Sequence, residues 1–224
     1  MIPTSIDGTD ITGATIDGQD VQEITVDGDV VFSAFPENVF EDFESGNVND
    51  WTNRFSSLAI TSNAINGNFS GIFSGVDDAR LPSATYNPSF IRSPVNTMEV
   101  AAEFIEDAGN DVPGLGLVNN NNPDTGVMAT FFSSFGGFAR VHENVNGNRT
   151  VLVSGSNLGD KRGSVIRIEL LYQFANNTVN VTWYENGTQF FQTTQNTSVS
   201  SVDVAAITAV RNFPRVDDFE VNFT

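Results

Sequence analysis

The carboxylates of Glu103 and Glu106 come nearest, in type and spacing, to a pair that could cleave a glycosidic bond. Such chemistry needs two carboxyl groups on one face, about 5 Å apart in enzymes that retain configuration. Successive side chains of a strand point to opposite faces, so Glu-x-x-Glu spacing separates the two glutamates. We therefore expect a solvated strand end here and no hydrolytic centre.

Nucleophilic catalysis has equally little support. His142 is the only histidine, so a Ser-His-Asp relay would have to use it. No Gly-x-Ser-x-Gly motif supplies a serine nucleophile, and the absence of cysteine excludes a thiolate nucleophile and disulfides. We expect no enzyme, and a surface imidazole at His142.

Alternation along the middle segments predicts a polar face that could bind sugars. In the segments 165–172 and 178–184 the apolar residues alternate with polar ones, which places the polar side chains outward. If these strands share a sheet with 138–143, one face combines an aromatic platform with hydrogen-bonding groups. An ordinary solvated sheet face is the alternative. The predicted sugar-binding residues are Arg140, His142, Arg167, Glu169, Thr182 and Tyr184.

Carboxylates near the ends of the main domain could hold a structural Ca²⁺, which prefers oxygen ligands. The candidates are Asp42, Asp217 and Asp218. No Asp-x-Asp-x-Asp-Gly loop occurs, and accidental acidic clusters are the alternative in so acidic a chain.

The charge balance favours a hypersaline environment. Asp and Glu number 28 against 10 Lys and Arg, a formal charge of −18, and Lys161 is the only lysine. Self-repulsion at this charge is screened in molar salt, where the Debye length falls to about 3 Å. An acidic secreted protein is the alternative. Nucleic acid is excluded as a partner because no Lys/Arg cluster could contact its phosphates.

The sequence pattern predicts an all-β fold. Short segments rich in β-branched and aromatic residues continue to the end, and no stretch has a sustained helical period. Asn146-Gly147 and Asn186-Gly187 predict tight hairpins, with longer loops at 119–126 and 154–163. The predicted strands are 100–104, 114–118, 127–132, 138–143, 150–153, 165–172, 178–184, 189–193, 202–210 and 219–223.

The first 31 residues form a separate repeat. Ile6-Asp7-Gly8, Ile16-Asp17-Gly18 and Val26-Asp27-Gly28 recur every ten residues, and Asp-Gly between β-branched residues predicts a hairpin. We predict a β-meander for attachment and oligomerisation at 1–35, a hinge at Pro36, and an antiparallel jelly-roll sandwich at 38–224. No apolar run is long enough for a membrane span, and because the repeat begins without a basic and an apolar segment we expect no cleaved signal peptide.

The sandwich region resembles the concanavalin A-like lectin/glucanase (LamG-like) superfamily. The resemblance rests on four segments, Phe40–Gly46 with Trp51, Ile166–Leu170, Val181–Gly187 and Val216–Val221. It implies that the first and last strands pair, through the two Asp-Phe-Glu segments. The resemblance also implies a structural calcium ion, which such sandwiches often carry.

Residues Ile16–Gly28 resemble N-terminal segments of structural proteins from tailed viruses of haloarchaea, such as turret or tail-fibre components. The resemblance implies a non-enzymatic, homo-oligomeric protein of the virion surface that docks to other virion proteins through 1–35. Its sandwich would meet a host glycan or glycoprotein. The alternatives are a ligand-free spacer, and a secreted carbohydrate-binding module or glycoside hydrolase of a halophile.

Overall fold

The computed structural model divides the chain into two units, Met1–Glu37 and Asn38–Thr224. Within them it describes residues 5–6, 9–10, 14–16, 19–21, 23–26, 29–33, 38–54, 57–74, 84–86, 96–106, 112–133, 136–210 and 214–223.

The first unit contains three short antiparallel hairpins. Their strands are β1 (Ser5–Ile6) with β2 (Thr9–Asp10), β3 (Ala14–Ile16) with β4 (Gln19–Val21), and β5 (Glu23–Val26) with β6 (Asp29–Ser33). In each hairpin two residues separate the innermost paired positions, as in Ile6 with Thr9. The predicted hairpins are confirmed, although the Asp-Gly turns lie outside the described residues. Each pair is a separate two-stranded sheet, so the described strands form consecutive hairpins and no joined meander.

The second unit is a sandwich of two antiparallel sheets. The eight-stranded sheet has the order β19-β18-β17-β12-β21-β10-β9, and β7 also pairs with β21. Its strands are β7 (Asn38–Glu41), β9 (Ser57–Thr61), β10 (Ser70–Ser74), β12 (Thr97–Ile105), β17 (Val165–Gln173), β18 (Thr178–Glu185), β19 (Thr188–Asn196) and β21 (Arg215–Phe223).

The seven-stranded sheet has the order β16-β15-β14-β13-β20-β11-β8. Its strands are β8 (Trp51–Asn53), β11 (Ala84–Tyr86), β13 (Val112–Asn119), β14 (Asn122–Phe132), β15 (Phe138–Val145), β16 (Asn148–Ser156) and β20 (Val204–Val210). The predicted all-β sandwich is confirmed.

The core lies between the two sheets and follows the strand alternation. On β17 and β18 the residues that alternation assigned to the interior are at most 1% exposed: Ile166, Ile168, Leu170, Tyr172, Val179, Val181 and Trp183. Thr178 and Thr182, on the other face of β18, are 9% exposed. Burial of large apolar side chains is the main stabilising contribution in such a fold. The same alternation leaves the polar residues of both strands on the outer face.

Two local predictions are confirmed, and one is wrong. β7 pairs with β21, with Phe40 opposite Glu220, so the first and last strands of the sandwich are neighbours. Asn146-Gly147 and Asn186-Gly187 both adopt positive φ in two-residue turns. The connection predicted at 119–126 is much shorter, because β14 begins at Asn122. No helix of the described residues is long and apolar enough to cross a membrane.

Candidate functional site

Four of the six predicted sugar-binding residues lie together on the outer face of the eight-stranded sheet. Arg167 pairs with Tyr184 and Glu169 pairs with Thr182 in the β17–β18 register. Their strands are neighbours near the middle of the sheet, so the four side chains form one continuous patch.

The other two predicted residues belong to the opposite sheet. Arg140 and His142 lie on β15, in the seven-stranded sheet, so the prediction of one shared face is wrong for them. His142 pairs with Met128 and has 0% exposure, which also contradicts a surface imidazole. Arg140 is half-buried and donates from Nε to Ser154 Oγ at 3.3 Å. The error arose because alternation fixes the face of a strand and carries no information on which sheet the strand joins.

An ion-pair network fixes the patch. Arg167 Nε donates to Glu169 Oε1 at 2.9 Å, and Arg167 Nη2 lies 3.3 Å from Glu220 Oε2. Tyr184 donates its hydroxyl to the second oxygen of Glu169 at 3.0 Å. Arg167, Glu169, Glu220 and Tyr184 therefore hold one another in place. Their side chains lose less conformational entropy when a ligand binds than mobile side chains would.

Next to this network lies a pocket of about 290 Å³ on the same face. Its lining supplies carboxylate, amide and hydroxyl groups around one apolar side chain: Glu99, Glu169, Leu171, Asn180, Thr182 and Gln192. Five of the six lining residues are polar, so the pocket is suited to a ligand with many hydrogen-bonding groups rather than to an apolar one.

Glu99 has an altered acidity in this pocket. Burial raises its pKa, because the charged form loses hydration, and the nearby charge of Glu169 adds to the increase. A hydrogen bond with Asn222 and the charge of Arg167 act in the opposite direction. The pocket thus holds one carboxyl group that takes a proton more readily than usual beside a glutamate paired with arginine.

The three predicted calcium ligands lie near one end of this face. Asp217 is 1% exposed, and its oxygens already accept hydrogen bonds from Asn66 N, Ser70 Oγ and Asp218 N. Asp218 accepts from Asn66 Nδ2 at 2.9 Å, and Asp42 accepts from Glu44 N at 3.0 Å. In the described part of the chain no group of three or more acidic or histidine side chains is arranged to hold a metal. These aspartates do not form a preformed calcium site, and calcium binding there stays an untested prediction.

Glu103 and Glu106 are separated as their spacing predicts, but the expected solvated strand end is wrong for Glu106, which is buried. Glu103 accepts a hydrogen bond from Asn66 Nδ2 at 3.0 Å on the outer face. Glu106 is 1% exposed and accepts from Ser133 N at 3.3 Å. The pair therefore cannot act on one substrate.

Several residues of the patch escaped sequence reasoning. Glu99 lies on β12, which pairs with β17, and Glu220 lies on β21, which pairs with β12; both pairings are long-range, and no local pattern reveals them. Asn180 points outward as expected, but nothing in the residue types of Asn180 and Gln192 marked them as lining a pocket.

Comparisons with known proteins bear on the fold. No family model and no curated protein matches the sequence. Among solved structures, a xylan β-1,4-xylosidase from Bacillus halodurans C-125 superimposes with a TM-score of 0.62 at 12% identity. The match covers 85% of this chain and 40% of the xylosidase, so this chain spans about two fifths of that enzyme's length.

Two lectin-type structures match over almost their whole length. Arcelin-5, a lectin-like defence protein from Phaseolus vulgaris, has a TM-score of 0.54 at 12% identity, covering 84% of this chain and 99% of arcelin-5. Lectin I from Ulex europaeus, solved with the methyl glycoside of α-L-fucose, has 0.53 at 13%, with 84% and 99% covered. At these identities the likeness shows the fold alone, and that fold is the concanavalin A-like, lectin-like sandwich.

Proposed function

We propose that the sandwich binds carbohydrate on the outer face of the eight-stranded sheet, at the pocket lined by Glu99, Glu169 and Thr182. The observation that carries the proposal is the fixed network of Arg167, Glu169 and Tyr184 beside that pocket. Sugar hydroxyls both donate and accept hydrogen bonds, so carboxylate, amide and hydroxyl groups together suit them. Hydrogen bonds to ionised carboxylates are the stronger kind.

The lectin I match supports the same function, since that protein of similar fold was solved with a fucoside. Pre-organisation supports it as well. Glu169 is held by Arg167 on one oxygen and by Tyr184 on the other, so a ligand meets a carboxylate that is already oriented.

We further propose that the protein is a non-enzymatic component of a virion surface in a hypersaline medium. The N-terminal hairpins would dock to other virion proteins, and identical copies would present their sandwiches to a host glycan or glycoprotein. Display in several copies multiplies a weak interaction through effective concentration. The resemblance of Ile16–Gly28 to haloarchaeal virus proteins and the charge of −18 support this setting. A ligand-free spacer and a secreted carbohydrate-binding module are the competing possibilities.

A glycan panel and isolated haloarchaeal envelopes, both probed in molar NaCl, test the binding function. Glu169→Gln breaks the ion pair with Arg167, and Thr182→Val removes a hydroxyl from the pocket without changing side-chain volume much. We expect both variants to lose binding to envelopes and glycans, while Val151→Ala, an exposed position on β16, retains it. Failure of the unaltered protein to bind any glycan or envelope would refute the function.

A specific observation favours glycoside hydrolysis as a second candidate. Glu99 and Glu169 line the same pocket, and the raised pKa of Glu99 suits a proton donor beside a second carboxyl group. Release of reducing sugar in molar salt, abolished by Glu99→Gln and by Glu169→Gln, would favour the enzyme over the binding protein. If no polysaccharide of the panel released reducing sugar, glycoside hydrolysis would be ruled out.

A further inference from the structure

Phe40 is an exposed aromatic residue of the sheet that carries the pocket, but it does not line the pocket. It lies on β7 and is 60% exposed, the only aromatic side chain of the described residues in the exposed class. Its neighbour Val39 is 7% exposed and packs in the core, so alternation places Phe40 on the outer face of the eight-stranded sheet. A single exposed phenylalanine needs no ligand by itself, and its position relative to the pocket is what matters.

The strand register aligns Phe40 with the pocket. Phe40 pairs with Glu220, Glu220 with Ala101, Ala101 with Glu169, and the row continues into the pocket wall. We call this line of cross-strand partners the Phe40 row, and its members are Phe40, Glu220, Ala101, Glu169, Thr182 and Gln192. One aromatic ring therefore stands at the end of a row whose other members, apart from Ala101, are polar.

The length of the row suits a chain of sugars better than a single one. Adjacent strands lie about 4.8 Å apart, so Phe40 to Thr182 spans about 19 Å, comparable to about four linked pyranose units. Ala101, in the middle of the row, is 2% exposed, and the Arg167 guanidinium passes over its methyl group to reach Glu220. A linear chain can lie along the row with one ring against the phenyl face and others near Glu169 and Thr182.

The charges along the row select against acidic chains. Arg167 is already paired with both Glu169 and Glu220, so its positive charge is neutralised within the network. Glu99 and Glu103 add carboxylates on the same face. A uronic or sialic acid would bring a like charge, which costs free energy even where salt weakens it.

We propose that the Phe40 row is a series of subsites for an extended, uncharged glycan chain of about four units lying across the strands, with Phe40 as its stacking platform. This inference rests on the carbohydrate-binding function proposed above. It adds the length of the ligand, its charge, its direction across the sheet and a residue that no sequence pattern marked.

Calorimetric titration of the full chain in molar NaCl tests the inference. The probes are neutral oligosaccharides of glucose, xylose, mannose and galactose, each from one to six units, with oligogalacturonate as the acidic comparison. We expect Kd to fall with each added unit and to level off at about four units, and the acidic series to bind more weakly.

Substitutions at Phe40 separate ring stacking from apolar contact. Phe40→Ala and Phe40→Leu should weaken tetrasaccharide binding by about five- to tenfold, because both remove the aromatic face. Phe40→Trp should retain it, and Val151→Ala provides an exposed apolar control on the other sheet. Monosaccharide affinity should change little, since one sugar occupies the pocket alone. Thermal unfolding of each variant checks that the sandwich is intact.

The possible failures are distinguishable. If no neutral or acidic oligosaccharide binds, both this inference and the carbohydrate-binding function are refuted. If a monosaccharide binds as tightly as a hexasaccharide and Phe40→Ala binds normally, the extended row is refuted while the binding function stands. Tighter binding of the acidic series would overturn the proposed ligand charge.

Discussion

Arg167 reaches Glu220 across an intervening strand. The two residues lie on β17 and β21, which are separated by β12, yet Nη2 and Oε2 are 3.3 Å apart. The β12 residue opposite Glu220 is Ala101, which is 2% exposed. The small side chain at this position lets the guanidinium pass over the strand, so the network depends on a residue that has no polar group of its own.

Enlarging Ala101 should therefore disrupt the network. Ala101→Leu would occupy the space under the guanidinium, and we expect weaker glycan binding with a loss of about 1–3 kcal/mol in stability from overpacking. Ala101→Ser, which adds a single oxygen, is the matched control and should bind normally. Titration with glycan and denaturant unfolding measure the two effects. Normal binding by Ala101→Leu would show that the Arg167–Glu220 contact is dispensable.

Neutralising Glu103 should stabilise the protein at neutral pH. Burial raises the pKa of Glu103, and Asp218 and Asp217 add to the increase while Asn66 and Arg167 oppose it. A carboxyl with a raised folded-state pKa contributes stability at pH below its unfolded value, and that stability is lost as pH rises through the folded pKa. Glu103→Gln removes this loss, so we expect a gain of about 0.5 kcal/mol at pH 7 and a flatter pH profile.

Glu185 provides the comparison of opposite sign. The hydrogen bond from Lys161 lowers its pKa most, so its stabilisation is present at neutral pH and lost as pH falls through the lowered value. Glu185→Gln leaves the Lys161 ammonium, 9% exposed, without its anionic partner at 2.7 Å. We expect a loss of about 1–3 kcal/mol at pH 7, measured by denaturant unfolding. If Glu103→Gln and Glu185→Gln changed the free energy of unfolding at pH 7 in the same direction, the opposite pKa shifts assigned to the two glutamates would be contradicted.

Salt should stabilise the fold strongly. At a charge of −18, raising NaCl from about 0.1 M to about 2 M screens the repulsion among surface carboxylates, so Tm should rise. Glu103→Gln should show a smaller rise in Tm with salt, because it removes one of the carboxylates on the outer face of the eight-stranded sheet. A Tm that is independent of salt would argue against the hypersaline setting. Differential scanning calorimetry at several salt concentrations makes the measurement.

The N-terminal hairpins should be dispensable for folding of the sandwich and required for assembly. In the described residues β1 to β6 pair only among themselves, and the sandwich sheets begin with β7. Deleting residues 1–34 should leave Tm and glycan affinity unchanged while reducing oligomer size and incorporation into particles. Light scattering and particle reconstitution measure these effects. A truncated protein that assembles normally would refute the docking role.

Much of the fold could be predicted from local signals. All ten predicted strands of the sandwich exist, because β-branched and aromatic segments bounded by Asn-Gly or other turn residues report strand positions directly. β9 and β10, Ser57–Thr61 and Ser70–Ser74, escaped notice because serine and threonine dilute their apolar alternation. Propensity is a weak guide where tertiary pairing supplies most of the stabilisation.

The site was predictable only in part, for a related reason. Alternation placed Arg167, Glu169, Thr182 and Tyr184 outward correctly, since that depends on one strand at a time. Whether a residue belongs to the outer-face patch also depends on which strands become neighbours. His142 lies in the other sheet, whereas Phe40 joins the same sheet through its pairing with Glu220. The resemblance predicted correctly that the first and last strands would be neighbours, although they pair through 38–41 and 219–222, but no pattern marked Phe40 itself.

The β7–β21 pairing has a consequence for the engineering of this protein. Asn38 and Asn222 face each other across one strand spacing, so the polypeptide enters and leaves the sandwich at nearly the same point. A domain with adjacent ends can be spliced into a surface loop of an unrelated carrier without stretching either partner. We therefore expect that residues 38–222 can be grafted between two adjacent positions of a chosen scaffold.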